Sequence, residues 1–143
     1  MKINKMNQYL SNLAVFNIKL HNLHWNVKGL QFMAIHNFTE ELYNVFFLQY
    51  DDLVELIKIK GENPLASMKD YLAHASIKES NKDTFTVKEV IEILIKDLSL
   101  LKKEAIEIRA LANETDDFEV VSMFEEYIPE LDKNLWFLNS MNV

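Results

Sequence analysis

Pro64 to Phe85 reads PLASMKDYLAHASIKESNKDTF, and the length of this stretch decides how the segments around it can be joined. It is too long for a simple turn between antiparallel helices. Upstream lie two long segments with apolar residues at helical spacing. Met6 to Val27 places Leu10, Leu13, Ala14, Ile18, Leu20 and Leu23 on its buried side, and Ala34 to Lys60 places Phe38, Leu42, Val45, Leu53 and Ile57. Downstream lie two more, Val87 to Ala112 and Asp117 to Asn139. Gly29 follows the first segment, where glycine accepts the left-handed conformation past a helix C-terminus. Gly61-Glu62-Asn63-Pro64 closes the second, since that combination cannot continue a helix. Ser67 to Leu72 predicts a short helix inside the long stretch, and Thr86 with Glu89 predicts a capping box ahead of the third helix. Pro129 predicts a bend within the fourth. The expectation is an all-α single domain over residues 1–143. It is a four-helix bundle of two short-loop hairpins joined by one long crossover, which carries a short helix between the second and third helices.

Composition narrows the function classes. Two glycines and two prolines in 143 residues argue against sheets and tight hairpins. No apolar run approaches the ~18 residues of a membrane span, and Met1-Lys2-Ile3-Asn4-Lys5 lacks the pattern of a secretory signal. The absence of cysteine excludes disulfides and thiolate metal sites and is compatible with a reducing, cytoplasmic location. A formal charge of −7, with Arg109 as the single arginine, repels phosphate backbones and attracts cations.

The second helix carries the chemistry. His36 and Glu40 are four residues apart, as are Asp51 and Glu55. Eleven residues from Glu40 to Asp51 return to within ~20° of the same face, so one stripe presents a histidine and three acids. For any single pair the ordinary reading is a solvated face. The same eleven residues separate Glu40 from Asp51 by ~16 Å along the axis, a gap that no metal ion bonded at ~2 Å can bridge. A metal held by both pairs therefore needs two chains, related by a two-fold axis that crosses antiparallel copies of this helix. His24, near the end of the first helix, can reach across the hairpin to join His36 and Glu40. Two imidazoles and three carboxylates suit Fe(II). The intrachain di-iron alternative needs Glu-x-x-His motifs, and the sequence contains none.

His24-Trp25-Asn26-Val27-Lys28-Gly29 resembles the HWN-x-x-G signature of the Dps family of ferritin-like proteins. The spacing of His24, His36, Glu40, Asp51 and Glu55 resembles that family's ferroxidase ligands. The resemblance extends through Gly61-Glu62-Asn63-Pro64, Lys69-Asp70-Tyr71-Leu72 and Ala75-Ser76 to Leu135-Trp136-Phe137, essentially the whole chain. It implies a homododecameric cage in which Fe(II) is oxidised at intersubunit sites by hydrogen peroxide, preferred over oxygen, and stored inside as Fe(III) mineral. It also implies acids lining three-fold pores at the start of the fourth helix. There, Asp117 is kept but serine stands at the second acidic position, leaving Asp116, Asp117 and Glu119 as candidates. DNA-binding members carry a long lysine-rich tail, whereas only Lys2 and Lys5 precede the first helix here. Nucleoid protection by DNA binding is thus the alternative function, and the absent tail and negative charge count against it.

The remaining residues read more plainly. His21 is a structural histidine or a partner of His24, and His74 a solvent-facing crossover residue. Trp25 and Trp136 read as core or interface packing; the resemblance also implies that Trp25 takes up stray oxidising equivalents. Lysines 58, 60, 69, 78, 82, 102 and 103 alternate with acids as solubility charges.

Overall fold

A computed structural model describes residues 2–142. It contains five helices: α1 (Lys2–Asn26), α2 (Phe32–Ile59), α3 (Met68–His74), α4 (Val87–Glu114) and α5 (Phe118–Met141). The strongest packing is within the pairs α1–α2 and α4–α5, with α1 also against α3 and α4. Leu10, Leu13, Phe16 and Leu20 of α1 are buried with Phe46 and Leu53 of α2, Leu94 and Leu101 of α4, and Phe124 and Leu138 of α5. Each fully buried side chain of this size stabilises the fold by roughly 1.5–3 kcal/mol through the water it sheds. The all-α bundle with a long crossover and a short helix inside it is the architecture expected from the sequence.

The helix ends differ from that expectation in instructive ways. The first helix runs to Asn26 and is followed by a two-residue strand, β1 (Val27–Lys28), paired in parallel with β2 (Phe85–Thr86). Gly29 has a positive φ of 135° but lies beyond this strand, not at the helix terminus. The left-handed helix cap belongs to Gly61, with φ 81°. Gly61 N–H donates to the Lys58 carbonyl at 2.9 Å and Glu62 N–H to the Ile57 carbonyl at 3.1 Å, the paired bonds of a Schellman turn. The same turn closes α4 with Asp116 in the left-handed position, φ 54°. The Thr86–Glu89 capping box is present, and Ser67 caps α3 by accepting from Asp70 N–H. Helix α5 continues through Pro129 without interruption.

Burial on α1 also departs from the periodicity. Ile18 is 52% exposed, while its neighbour Lys19 is buried and paired with Asp97 of α4 at 2.6 Å. The ion pair satisfies the lysine inside and leaves the isoleucine on the surface. Trp25 and Trp136 are also exposed, which removes the core reading of both.

Candidate metal centre

The α1–α2 hairpin brings His24 against the first turns of α2. The two imidazoles stack with centroids 3.6 Å apart and planes 13° from parallel. Each ring is held by the other's backbone: His24 Nδ1 lies 2.7 Å from the His36 carbonyl, and His36 Nδ1 lies 2.9 Å from the His24 carbonyl. A carbonyl only accepts, so both rings carry a proton on Nδ1, which in a neutral imidazole leaves the lone pair on Nε2. Each bond contributes about 1 kcal/mol net, and together they fix tautomer and orientation. Phe32 stacks on the outer side of His36, and Tyr43 meets His24 edge-on.

His24 Nε2 lies 3.8 Å from Glu40 Oε1, and Glu40 itself is 53% exposed. Burial of His24 holds its pKa below the ordinary value, the His36 carbonyl bond opposing that shift. An imidazole kept neutral offers its Nε2 lone pair to a metal near neutral pH. His24 and Glu40 thus turn electron pairs towards each other, an arrangement that a cation relieves.

Asp51 and Glu55 sit near the other end of α2. Their carboxylates, with that of Asp52, offer oxygens lying within 4.8 Å of one another, and all three side chains are exposed. Asp52 was not singled out from the sequence, although two adjacent acids on an i,i+4 pair are a readable signal. Among the described residues, the three-donor group that closes within 4.8 Å is Asp51, Asp52 and Glu55; His24, His36 and Glu40 form a looser group joined through His24, which stacks on His36 and lies 3.8 Å from Glu40.

The other candidates are placed as follows. His21 donates from Nδ1 to the Asn17 carbonyl at 2.7 Å and stacks on Tyr43 at 3.9 Å, with Trp25 beyond it at 5.5 Å, a structural setting. His74 is exposed on α3, as expected. Asp117 is almost buried and its carboxylate takes both Lys2 and Lys60, the latter at 2.7 Å. Burial pushes the Asp117 pKa up, but the two ammonium groups outweigh it and hold the carboxyl below its usual value. Of the three pore candidates, Asp117 is thus already committed to cations of its own chain, whereas Asp116 and Glu119 are exposed, Glu119 lying 3.7 Å from the same Lys60. Lys5 pairs with Glu107 at 3.0 Å, so both N-terminal lysines lie along α1 and bind acids of the bundle.

A model of the ferritin-like domain matches residues 3–142. The DNA protection during starvation protein of Helicobacter pylori is 33% identical over 86% of this chain and 85% of its own. DNA protection during starvation protein 2 of Bacillus anthracis is 33% identical over 96% and 94%. The chain belongs to the Dps family. Among solved structures, this Dps-family chain resembles Helicobacter cinaedi CAIP with TM-score 0.97 and 32% identity, covering 100% of both chains. It also resembles a Vibrio cholerae O1 Dps protein, described as a member of a broad superfamily of ferritin-like diiron-carboxylate proteins. That match has TM-score 0.93 and 32% identity, over 98% of this chain and 87% of the other.

Proposed function

We propose that this chain is a ferroxidase and iron-storage subunit, oxidising Fe(II) at sites shared between two subunits and keeping the Fe(III) mineral inside a homododecameric cage. The observation that carries the reading is the division of the donors. His36 and Glu40 share one stripe of α2 with Asp51 and Glu55, His24 of α1 lies beside the first pair, and eleven helical residues hold Glu40 and Asp51 ~16 Å apart along the axis. Crossing two antiparallel copies of α2 brings the histidine cluster of each chain to the acid cluster of the other, giving two equivalent sites per pair. Ile18 and Trp25 of α1, with Met33, Phe47 and Leu48 of α2, are exposed and supply apolar surface for such a pairing.

The roles follow from the donors. His24 and His36 bind Fe(II) through Nε2, and Glu40, Asp51 and Glu55 supply oxygens that offset its charge. This mixed set suits Fe(II) better than an all-oxygen or all-nitrogen set would. Two Fe(II) ions give up one electron each and one hydrogen peroxide takes both, ending as water or hydroxide; oxygen is the slower oxidant. The redox step belongs to the iron, while the protein binds and orients it. Consuming Fe(II) and peroxide together suppresses hydroxyl-radical chemistry. Iron is the substrate, and a reducing cytoplasm, where Fe(II) persists, is the compartment this activity fits.

The relatives are named for DNA protection, and a second reading is that this chain protects DNA by binding it directly. Lys2 and Lys5 are engaged by Asp117 and Glu107, and the chain is acidic at −7. With both lysines held by acids of the bundle, counterion release has little to work with there. Gel retardation in about 0.15 M salt with chelator tests this: duplex DNA is expected to run free, and a retarded band lost on mutating Lys2 and Lys5 would reinstate the second reading.

The primary test is anaerobic Fe(II) titration of the purified assembly, then peroxide, with a solution mass on the same sample. Stoichiometric binding, rapid oxidation and a dodecameric mass are expected. A stable monomer that still oxidises iron rapidly would contradict the shared site.

A further inference from the structure

His24 has a second hydrogen-bond acceptor at Nδ1, supplied by a residue outside the ligand set. Thr39 is fully buried on α2, and its Oγ1 lies 3.1 Å from His24 Nδ1. The same Oγ1 lies 2.8 Å from the Ile35 carbonyl and 3.0 Å from the His36 carbonyl. A hydroxyl has one proton, and both carbonyls can only accept. The Thr39 O–H therefore points back along α2, and its oxygen lone pairs face the His24 N–H. Threonine bonding back to the preceding turn is common in helices. Here that ordinary bond leaves the hydroxyl oxygen committed as an acceptor for the ring.

We infer that Thr39 is a positioning residue for the metal centre: with the His36 carbonyl, it holds the His24 ring as the Nδ1–H tautomer in one orientation, so that Nε2 faces Glu40. This rests on the metal-centre reading above. A ring held by one acceptor can swing about that contact, whereas two acceptors three residues apart on α2 fix its plane as well as its proton. The His36 carbonyl at 2.7 Å is the shorter partner and sets the proton; Thr39 sets the angle and disfavours the alternative tautomer. Groups that orient metal-ligating histidines in this way typically matter by 10–100-fold in affinity.

Two substitutions separate positioning from packing. Thr39→Val keeps the branched shape and deletes the oxygen; Thr39→Ser deletes the methyl group and keeps the oxygen. The first measurement uses metal-free, full-length assembled protein labelled with [15N]histidine, sedimented for solid-state NMR, in which protonated and unprotonated ring nitrogens are resolved. The second is titration with Co(II) as a spectroscopic probe of the histidine half. Wild type and Thr39→Ser should show His24 as the Nδ1–H tautomer alone and bind Co(II) within about threefold of each other. Thr39→Val should show mixed tautomers or a broadened Nε2 signal and bind Co(II) about tenfold more weakly. A Thr39→Val protein with the wild-type signature or with unweakened Co(II) binding overturns the assignment, as does a Thr39→Ser protein impaired more than Thr39→Val. Wild-type protein that fails to bind Co(II) would instead overturn the metal-centre reading, on which the metal-free signature does not depend.

Discussion

His24, His36 and Glu40 sit near one end of α2, Asp51, Asp52 and Glu55 near the other, and the two groups are held in different ways. The histidine rings are stacked, one is buried, and each is tied to the other's carbonyl. The three acids are exposed and only the helix backbone sets their spacing. Like charges on neighbouring turns repel, so nothing within the chain rewards bringing them together. The difference teaches that the histidine group is organised by its own chain, while the acid group is not; on the proposed reading a cation and the neighbouring subunit would complete it. The division fits a site whose histidine half selects the metal and whose acid half closes around it on assembly.

The largest expected effect lies in activity, where the two halves should be equally indispensable. His36→Ala and Asp51→Ala should each lower the initial rate of peroxide-driven Fe(II) oxidation by more than ~100-fold, beyond the range typical of groups that merely orient ligands. Fe(III) absorbance after anaerobic loading measures this. A rate within tenfold of wild type would remove that residue from the centre.

Stability should then separate what activity does not. His24→Ala deletes a buried ring and leaves the His36 carbonyl and Thr39 without their partner, which should cost about 2–4 kcal/mol. Asp51→Ala changes an exposed side chain and should stay within about 0.5 kcal/mol of wild type. Denaturant unfolding with chelator, at matched protein concentration, provides the comparison. Equal losses would erase the contrast between the halves.

The smallest effect is in pH dependence. Burial holds the folded-state pKa of His24 below its ordinary value of about 6.5. The unfolded chain therefore takes up the proton first as pH falls, so the contribution of His24 is complete above about 6.5 and is lost as pH drops towards the folded-state value. In metal-free protein, His24→Gln should flatten the acid limb of the stability profile just below pH 6.5, and Asp51→Asn should leave that region unchanged. An identical acid limb in His24→Gln would show that the ring is not protected from protonation.

Much of this contrast was legible in the sequence. Helical spacing fixes faces, so His36, Glu40, Asp51 and Glu55 could be placed on one stripe and shown to be too far apart for one ion within a chain. Gly61 and Pro64 marked the end of α2, and the long stretch to Phe85 set the connectivity. What escaped depends on contacts between distant segments. Lys19 is buried because Asp97 of α4 meets it, and no periodicity within α1 could report that. The β1–β2 pair is two residues long, too short for alternation to register. Thr39 looks like any mid-helix threonine until His24 is seen against it. Asp116 adopts a left-handed turn that glycine usually signals. The commitment of Asp117 to Lys2 and Lys60 joins three segments far apart in the chain.

Subunit mixing tests the shared centre most directly. His36→Ala and Asp51→Ala proteins, each inactive alone, are dissociated together and reassembled, and peroxide-driven Fe(II) oxidation is followed. Wherever the two kinds of chain pair, one site receives an intact histidine half from the Asp51→Ala chain and an intact acid half from the His36→Ala chain, while the other site is doubly damaged. Oxidation should therefore return to roughly a quarter of the wild-type rate for random pairing. Mixed assemblies, verified by mass to contain both chains, that remain as inactive as the separate variants would contradict a centre built from two subunits.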